Sequence, residues 1–343
     1  MSNGFTLDLG SATLMASTAG DATIYREPSV IAVNRRSGSI LAVGKQALES
    51  PTDADVVLMR PFRSGLTSNF DITYQVMQNL LKRSFGKDLR GGRLLMSIPC
   101  STSEAEEQAL VDMAGKCGIK FCHLIYSPLA AMTAEFISPF SNCLLIDIGA
   151  VRTNIMTLSG GRILYMRTIQ AGGENFDAAL VEYLRRTYKV QISMKTAEQL
   201  KIKAGTVFND GSTTFAPQTV SGKHMETGET ISIDVTTEDM YKAFEDPLAE
   251  LLDPICVTVM KIPIPYAEKV IHTGIILCGG GSALHGMDKM IEGVTGVPTT
   301  LAERPSEAVV RGLSHVLEWL PAQIPPHVRN VSGYYIEKFL STK

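Results

Sequence analysis

The stretch Leu144-Leu145-Ile146-Asp147-Ile148-Gly149 repeats the pattern of Phe5-Thr6-Leu7-Asp8-Leu9-Gly10 near the start of the chain. Each copy is an apolar strand that ends in Asp, an aliphatic residue and Gly, followed by a short turn into a second strand. One such hairpin is common by chance. Two copies, each at the start of a segment in which strand-like and helix-like patterns alternate, predict an α/β protein with two related domains.

The composition is that of an ordinary globular protein. The chain has 343 residues, of which 45% are apolar and 20% charged, and at about 150 residues per domain this length predicts two domains. The net charge of −3 gives no overall field that would hold a polyanion, so nucleic-acid binding is disfavoured. The six cysteines are scattered without metal-ligand spacing, which predicts reduced thiols in the cytoplasm. No secretion signal or run of about 20 apolar residues is evident.

Several helices are marked by their own sequence signals. Capping boxes predict helices at Ser103–Lys116 and at Thr196–Gly205. Apolar residues at helical spacing predict an amphipathic helix at about 71–85. Farther along, in a segment of helical period, Pro247 and Pro254 are each expected to start, kink or end a helix.

The first hairpin has the features of a phosphate-binding turn. Gly10 lets the backbone approach a ligand closely, and the N–H groups of Gly10, Ser11, Ala12 and Thr13 can converge on a phosphate. Asp8 would then hold a metal-bound water, because a carboxylate beside a polyphosphate needs a cation between them. The alternative is a plain Asp-Gly turn in which Asp8 caps its own backbone.

A glycine cluster follows the apolar strand Ile275–Cys278 and precedes a helical pattern. Gly279, Gly280, Gly281 and Ser282 would allow a flat ligand or its phosphate to lie against bare backbone. The spacing is not that of a dinucleotide fingerprint. A tight turn without a ligand is the alternative.

Taken together, these motifs resemble those of the actin-like ATPases, and among them the bacterial MreB family. The resemblance covers nearly the whole chain, and its specificity comes from the order and spacing of the motifs rather than from any single one. The matching segments are Asp8–Gly10, Arg60–Leu66, Ser127–Ala131, Asp147–Gly149, Ala171–Asp177, Thr196–Lys201, Leu277–Leu284 and Ala308–Gly312.

The resemblance implies an actin-like fold, with two related domains and four subdomains around a nucleotide cleft. The expected boundaries are 1–141 for domain I, with a small subdomain at about 31–65, and 142–320 for domain II, with a small subdomain at about 181–258. The last segment, 321–343, is expected to pack back on domain I. The implied protein binds ATP or ADP with Mg²⁺, forms a filamentous homopolymer at the inner face of the cytoplasmic membrane, and scaffolds cell-wall synthesis and rod shape with other shape proteins.

The resemblance also implies roles for individual residues. Asp8 and Asp147 would serve Mg²⁺ through water, and Glu198 and Lys201 would reach the nucleoside. Since Glu198 and Lys201 are one helical turn apart, an exposed ion pair between them is the alternative. The remaining residues that would contact the nucleotide are Gly10, Ser11, Ala12, Thr13, Gly149, Ala150, Val151, Arg152, Gly172, Gly173, Gly279, Gly280, Gly281 and Ser282.

Two departures from the family pattern affect residues that the family uses for ATP hydrolysis. Ser127 stands where the family places a glutamate that orients the attacking water, and a serine hydroxyl is too short and too weakly basic for that work. Glu135 lies two turns farther along the same predicted helix and is a poor substitute.

The second phosphate loop also departs from the family pattern. Ala150 and Val151 add side chains where relatives have bare glycine backbone. Arg152 either brings a positive charge to the phosphates or points to solvent from the hairpin tip. The catalytic position is therefore expected to be inactive, and ATP hydrolysis is expected to be weak.

The basic segment Lys82–Arg93 is at the position of the family's membrane-facing loop. Phe85 and Leu89 are expected at its tip, and the segment would dock on an anionic membrane surface. The alternative is a solvated glycine-rich connection.

The sequence thus predicts an MreB-like, nucleotide-binding, filament-forming protein. The first alternative is a scaffold of the same fold that needs no nucleotide, because the two departures are what loss of catalysis would look like. A small-molecule kinase of the same superfamily is a weaker alternative, and a chaperone ATPase would need a further substrate-binding domain.

Overall fold

A computed structural model describes residues 4–20, 23–50, 55–63, 68–86, 89, 91–135, 137–138, 141–208, 215–320, 324, 329–334 and 336. Contacts along the chain divide it into two compact units. Unit 1 comprises 1–141, 158–168 and 307–343, and unit 2 comprises 142–157 and 169–306.

The first part of the chain alternates between strands and helices. Its strands are β1 (Gly4–Leu9), β2 (Thr13–Thr18), β3 (Tyr25–Pro28), β4 (Ile31–Asn34), β5 (Ile40–Val43), β6 (Val56–Met59), β7 (Arg93–Ile98) and β8 (Phe121–Tyr126). Its helices are α1 (Lys45–Glu49), α2 (Phe70–Phe85), α3 (Glu104–Lys116) and α4 (Ser127–Ala134), and α10 (Ala308–Trp319) returns to this unit at the end of the chain.

Unit 1 is built on a five-stranded sheet with strand order β3-β2-β1-β7-β8. The central strands β1, β7 and β8 are parallel, and β2 and β3 continue the sheet antiparallel to β1 and to each other. One face of β1 presents Phe5, Leu7 and Leu9 to a core that also contains the buried stripe of α2. A second, three-stranded sheet has the order β5-β4-β6 and lies within the expected small subdomain.

The middle of the chain repeats this alternation. Its strands are β9 (Cys143–Ile148), β10 (Thr153–Ser159), β11 (Arg162–Ile169), β12 (Val190–Gln191), β13 (Gln218–His224), β14 (Thr230–Val235), β15 (Ile275–Cys278) and β16 (Thr299–Leu301). Its helices are α5 (Gly173–Thr187), α6 (Met194–Ala204), α7 (Thr237–Met260), α8 (Ile264–Thr273) and α9 (Met287–Thr295).

Strands β10, β9, β15 and β16 are neighbours in that order in the main sheet of unit 2. Strand β15 is parallel to β9 and β16, as expected where helices connect the strands. The core includes Phe176 of α5 and Phe244 of α7, whose rings meet edge to face with centroids 5.4 Å apart. A three-stranded sheet, β12-β13-β14, lies within the second expected small subdomain.

The locally marked helices form where the sequence predicts them. Helix α3 has the complete capping box of Ser103 and Glu106, and α2 covers the predicted amphipathic segment. Helix α6 ends at the predicted Gly205 but begins earlier than predicted. Ser193 caps it, because its hydroxyl accepts a hydrogen bond from the Thr196 N–H at 3.1 Å.

The two prolines of α7 do not divide the helix. Pro247 and Pro254 both lie inside one helix of 24 residues, so of the three expected effects, starting, kinking or ending a helix, neither proline starts or ends one. Each proline costs a backbone hydrogen bond. The helix continues because it buries a long apolar stripe, including Phe244 and Leu251, against unit 2.

Helix α10 and the described residues after it pack within unit 1. Helix α10 was expected in domain II, and its contacts place it in unit 1, where it packs against α4. Gly312 permits this contact, because a Cβ at that position would lie 1.7 Å from the carbonyl oxygen of Ala130. Residues 329–332 bond to β8 of unit 1: the Leu124 N–H donates to the Arg329 carbonyl at 2.9 Å, and the Val331 N–H donates to the Leu124 carbonyl at 2.7 Å.

Of the two residues expected to meet the membrane, Leu89 is buried and Phe85 is half-buried. Leu89 is only 3% exposed and belongs to the core of unit 1. The ring of Phe85 packs against Phe5, with centroids 4.6 Å apart, and against Tyr25 at 5.6 Å. Insertion of Leu89 would require opening that core, so its assignment as a membrane contact is wrong. Lys87, Asp88 and Arg90 of the same segment lie outside the described residues.

Candidate functional site

The turn between β1 and β2 requires a glycine. A Cβ at Gly10 would lie 2.5 Å from the carbonyl oxygen of Thr13, so a side chain there would collide with the turn itself. The Ser11 hydroxyl donates to the Phe62 carbonyl at 3.3 Å, and the Ser29 N–H donates to the Ala12 carbonyl at 2.8 Å. The hairpin is therefore held at its tip by neighbouring parts of unit 1.

Asp8 is fixed by a residue that the sequence analysis missed. The hydroxyl of Ser97, on the adjacent parallel strand β7, donates to Asp8 Oδ1 at 2.6 Å. A charge-assisted hydrogen bond of this length restricts the carboxylate to one orientation. A polar residue within the apolar strand Arg93–Ile98 was the available signal, although only the pairing of β1 with β7 shows where it points.

The second hairpin has a matching arrangement in unit 2. The Gly149 N–H closes the turn by donating to the Arg152 carbonyl at 2.8 Å, and a Cβ at Gly149 would lie 2.9 Å from that oxygen. Asp147 is buried, and the amide of Asn154 donates to Asp147 Oδ2 at 3.3 Å. Both hairpin aspartates thus accept a hydrogen bond from a neutral side chain.

Two residues that depart from the family pattern at the tip of the second hairpin are partly accessible to solvent. Val151 and Arg152 are half-buried, so Arg152 is not a fully solvated residue.

The predicted glycine pair Gly172 and Gly173 packs under this second hairpin. The Gly173 N–H donates to the Gly149 carbonyl at 3.0 Å, and the Glu174 N–H donates to the Ala150 carbonyl at 2.7 Å. A Cβ at Gly172 would lie 2.7 Å from the Gly149 carbonyl oxygen. The first N–H groups of α5 therefore bind the loop and set its position, instead of being directed at a ligand.

Lys201 joins α6 to the start of α5. Its ammonium is 2.8 Å from Asp177 Oδ1 and donates to the Gly173 carbonyl at 2.7 Å. Burial raises the pKa of Asp177, and the charge of Lys201 opposes that shift, while Glu198 and Glu174 raise the pKa further. Lys201 thus takes Asp177 as its ion-pair partner, a residue of the Ala171–Asp177 motif that was not assigned a role.

The glycine cluster after β15 divides into two kinds of position. Gly279 has φ 84°, and its Cβ would lie 2.3 Å from the Ile148 carbonyl oxygen and 2.6 Å from Asp147 Oδ1. A Cβ at Gly281 would lie 2.5 Å from Ile148 Cγ2. At Gly280 the nearest atom would be 3.9 Å away, on Ser306. Close packing against β9 therefore requires two of the glycines, while Gly280 leaves open space.

Ser282 closes the short turn that follows. Its hydroxyl donates to the Gly279 carbonyl at 2.7 Å, and the side chain is buried. The structure thus gives Ser282 a role within the turn.

The position expected to be catalytic is at the start of α4. Ser127 is the first residue of that helix and is buried. Glu135 is at the other end, where its carboxylate is 3.6 Å from the Arg311 guanidinium of α10. Glu135 is therefore committed to the packing of α4 against α10, as expected of a residue that does not replace the missing glutamate.

Two further observations concern the part of the chain that the structure describes. Within it, no group of three or more His, Cys, Asp or Glu side chains could hold a metal ion alone. Single carboxylates such as Asp8 and Asp147 are typical of Mg²⁺ sites that depend on substrate phosphates for further ligands. None of the described helices has the length and apolar composition needed to cross a bilayer.

Comparison with known proteins gives a consistent match. The family model described as MreB/Mbl protein matches residues 2–323. The cell shape-determining protein Mbl of Bacillus subtilis is 30% identical over 318 residues, which cover 91% of this chain and 95% of Mbl.

Solved structures share the fold. The crystal structure of MreB 5 of Spiroplasma citri bound to AMPPNP has a TM-score of 0.86 at 23% identity, covering 93% of this chain and 97% of that one. The MamK double helical filament has a TM-score of 0.79 at 19% identity, covering 94% of this chain and 100% of the MamK chain. At these identities the likeness shows that the chain has the actin-like fold.

Proposed function

The chain belongs to the MreB/Mbl protein family, and from that premise we propose that it is an adenine-nucleotide-binding, filament-forming protein of cell-shape determination. The observation that carries the nucleotide part is the duplicated hairpin. In each copy a glycine is required by the turn, and the preceding aspartate is oriented by a neutral donor, Ser97 in one unit and Asn154 in the other.

Asp8 and Asp147 are the residues proposed to hold Mg²⁺ through water. The cation would neutralise the phosphates when bound. Ser97 orients one carboxylate and Asn154 the other, so neither has to reorganise when the ligand arrives. Backbone N–H groups at the two hairpin tips would donate to phosphate oxygens.

In unit 2 the nucleoside is proposed to lie against Gly280. This position is the one in its cluster that packing leaves open. Glu198, half-buried on α6, is the proposed polar contact. Lys201 contributes by holding the start of α5, and with it the Gly149 turn, through its bonds to Asp177 and Gly173.

Hydrolysis is proposed to be weak. Ser127 has neither the reach nor the basicity to orient an attacking water. The β-branched side chain of Val151 would occupy space in the turn proposed to meet the terminal phosphate. The chain is therefore proposed to bind nucleotide and to hydrolyse it slowly.

Assembly is proposed to be head to tail, because a heterologous interface that does not close makes a filament. A relative of the same fold forms a double helical filament, which supports self-association here. We further propose a cytoplasmic location, peripheral at the inner face of the cell membrane, with cell-wall synthesis and shape proteins as partners.

The test combines two measurements on the full chain. Mg-ATP, Mg-ADP and a non-hydrolysable analogue should each raise the melting temperature, since a ligand that binds only the folded state stabilises it. High-speed pelleting in the same solutions should show assembly above a critical concentration. No thermal shift at millimolar nucleotide would overturn nucleotide binding, and a strictly monomeric protein at tens of micromolar would overturn filament formation.

A nucleotide-independent scaffold is the second candidate. The observation that favours it is the use of the Gly173 and Glu174 N–H groups by the hairpin carbonyls, together with the loss of the catalytic glutamate at Ser127. That candidate predicts assembly without any thermal shift. A small-molecule kinase would instead show phosphate transfer to an added substrate.

A further inference from the structure

Two segments of unit 2 that are far apart in the sequence are joined by hydrogen bonds. Residues 205–208 follow α6, and residues 284–286 follow the glycine cluster after β15. The Val207 N–H donates to the His285 carbonyl at 3.0 Å, and Thr206 and His285 form an isolated parallel β-bridge. We call these two segments together the 206–285 junction.

Two glycines let the backbones of the junction approach each other closely. A Cβ at Gly205 would lie 2.4 Å from the Lys201 carbonyl oxygen and 2.9 Å from Leu284 Cδ1. Gly286 has φ 80°, and its Cβ would lie 2.1 Å from Phe208 Cβ. A side chain at either position would therefore disturb the contact between the two segments.

The hydroxyl of Thr206 is the polar centre of the junction. Thr206 is only 1% exposed. Its Oγ1 lies 2.9 Å from His285 Nδ1, donates to the Phe208 carbonyl at 3.0 Å and accepts from the Phe208 N–H at 3.2 Å. The imidazole of His285 also meets the ring of Phe215 edge to face, with centroids 5.4 Å apart. One buried hydroxyl thus holds the turn after α6 and its contact with His285.

The junction connects the two elements that are proposed to hold the nucleoside. Helix α6 carries Glu198, which is two turns before Gly205 and about 10 Å from it along the helix axis. On the other side, His285 follows shortly after Gly280, the open position of the glycine cluster. Lys201 already ties α6 to α5, and the junction is a second tie, from the end of α6 to the segment after β15.

Apolar packing alone does not fix where α6 lies along its axis. The helix packs into the core of unit 2 through Ala197, Leu200 and Ala204. Such contacts are not directional, whereas the hydrogen bonds of Thr206 are. Without them, the separation of Glu198 from the glycine cluster would have to be set each time a ligand binds, and that ordering costs affinity.

We propose that Thr206 and His285 are positioning residues, which set the distance between Glu198 and Gly280 and thereby the affinity for the nucleoside part of the nucleotide. The inference rests on the nucleotide binding included in the proposed function. Both residues act through α6 and the glycine cluster rather than by touching the ligand, because binding elements that are already in place lose less free energy on binding.

Thr206 variants test the hydroxyl. Thr206→Val removes it and keeps nearly the same shape, and should raise the dissociation constant of the full chain for Mg-ADP, measured by titration calorimetry, about 10-fold. Thr206→Ser restores the hydroxyl and should bind within about 2-fold of the parent chain. Equal affinity of Thr206→Val and the parent chain would overturn the inference, as would a Thr206→Ser variant as weak as Thr206→Val.

His285 variants separate the hydrogen bond from the ring contact. His285→Asn keeps a polar atom near the position of Nδ1 and loses the contact with Phe215, so it should bind Mg-ADP within about 3-fold of the parent chain. His285→Ala loses both contacts and should be as weak as Thr206→Val. Combining these two changes should weaken binding no further, because they remove one interaction. Additive losses would overturn the coupling of the two residues.

A matched control separates positioning from stability. Thr258 of α7 is also buried, and its hydroxyl donates to the Pro254 carbonyl at 2.8 Å. Thr258→Val should lower the melting temperature about as much as Thr206→Val does, and leave the affinity for Mg-ADP unchanged. Equal loss of affinity in the two variants would attribute the effect to stability and overturn the inference.

The parent chain separates this inference from its premise. Absence of binding at millimolar Mg-ADP would overturn the nucleotide part of the proposed function, and the inference would fall with it. Binding by the parent chain that Thr206→Val leaves unchanged would overturn the positioning role alone, and nucleotide binding would stand.

Discussion

Single side chains decide how the hairpin aspartates are presented. Asp8 accepts a 2.6 Å hydrogen bond from Ser97, and Asp147 accepts a longer one from Asn154 at 3.3 Å. Groups that orient a metal-binding carboxylate contribute to metal affinity without touching the ion. Ser97 is therefore expected to affect the affinity for Mg²⁺ more than the stability of the fold.

Ser97→Ala should raise the Mg²⁺ concentration needed for half of the ATP-induced thermal shift by about 10-fold. The reason is that the free carboxylate would have to be oriented on binding. The matched control is Ser314→Ala, which removes another buried hydroxyl of unit 1, one that donates to the Thr18 carbonyl at 2.9 Å. The control should lose stability with an unchanged Mg²⁺ requirement. The same Mg²⁺ requirement for both variants would contradict the role of Ser97.

The glycine cluster offers a second residue-scale test, with its control built in. Gly281→Ala should lower the free energy of unfolding by about 1–3 kcal/mol, because the new methyl group would meet Ile148 Cγ2. Gly280→Ala should change stability by less than about 0.5 kcal/mol, because space there is open. If the nucleoside lies against Gly280, that variant should nevertheless lose most of the nucleotide-induced thermal shift. A full thermal shift in Gly280→Ala would place the ligand elsewhere.

At the scale of elements, the start of α7 is held by a buried carboxylate. Asp239 completes a capping box with Thr236 and accepts hydrogen bonds from Tyr188 at 2.9 Å and Tyr183 at 3.1 Å, both on or next to α5. Burial raises the pKa of Asp239, but the hydrogen bonds from Thr236, Tyr188 and Tyr183 outweigh it and leave the pKa lowered. Burial, and to a smaller extent the hydrogen bond to Asp239, raises the pKa of Tyr188 to about 12.

This network predicts an acid-sensitive contact. A carboxylate whose pKa is lower in the folded state stabilises the fold above its unfolded pKa of about 3.9, and that stability is lost as the pH falls through the folded value. Tyr183→Phe with Tyr188→Phe should reduce the unfolding free energy at pH 7 by about 2 kcal/mol and weaken its fall below pH 4. Urea titrations at pH 3 and pH 7 measure both. The control is Tyr241→Phe, at an exposed position on α7, which should leave the pH dependence of the unfolding free energy unchanged. If the double variant shows the same pH dependence as the parent chain, the network is contradicted.

At the scale of the whole molecule, binding, hydrolysis and assembly are expected to be separable. With Ser127 at the position of the water-orienting glutamate, turnover should be at least about 100-fold below that of an ordinary relative. Assembly should then proceed equally with ATP and with a non-hydrolysable analogue, as measured by pelleting with phosphate release in the same tubes. Ser127→Glu with Val151→Gly should raise turnover. Robust release by the parent chain, abolished by Asp8→Ala or Asp147→Ala, would contradict this expectation.

Features set by neighbours in the chain were predictable from the sequence. The two Asp-x-Gly hairpins, the capping box of α3 and the amphipathic stripe of α2 each depend on residues a few positions apart, so their signals are local. Several such motifs in a fixed order also indicated the family and the actin-like fold, which the comparisons confirm. Local sequence thus determined these elements and the family that they indicate.

Features set by residues far apart in the chain were decided only by the tertiary structure. Ser97 meets Asp8 because β7 pairs with β1, and Lys201 meets Asp177 because α6 packs beside α5. Packing within unit 1 buries Leu89 and leaves Trp319 at the surface, and no local pattern in the sequence distinguishes the two. The physical reason is that burial and side-chain pairing are set by which elements pack together, and contact across the fold outweighs local preference, as it does where α7 continues through its two prolines.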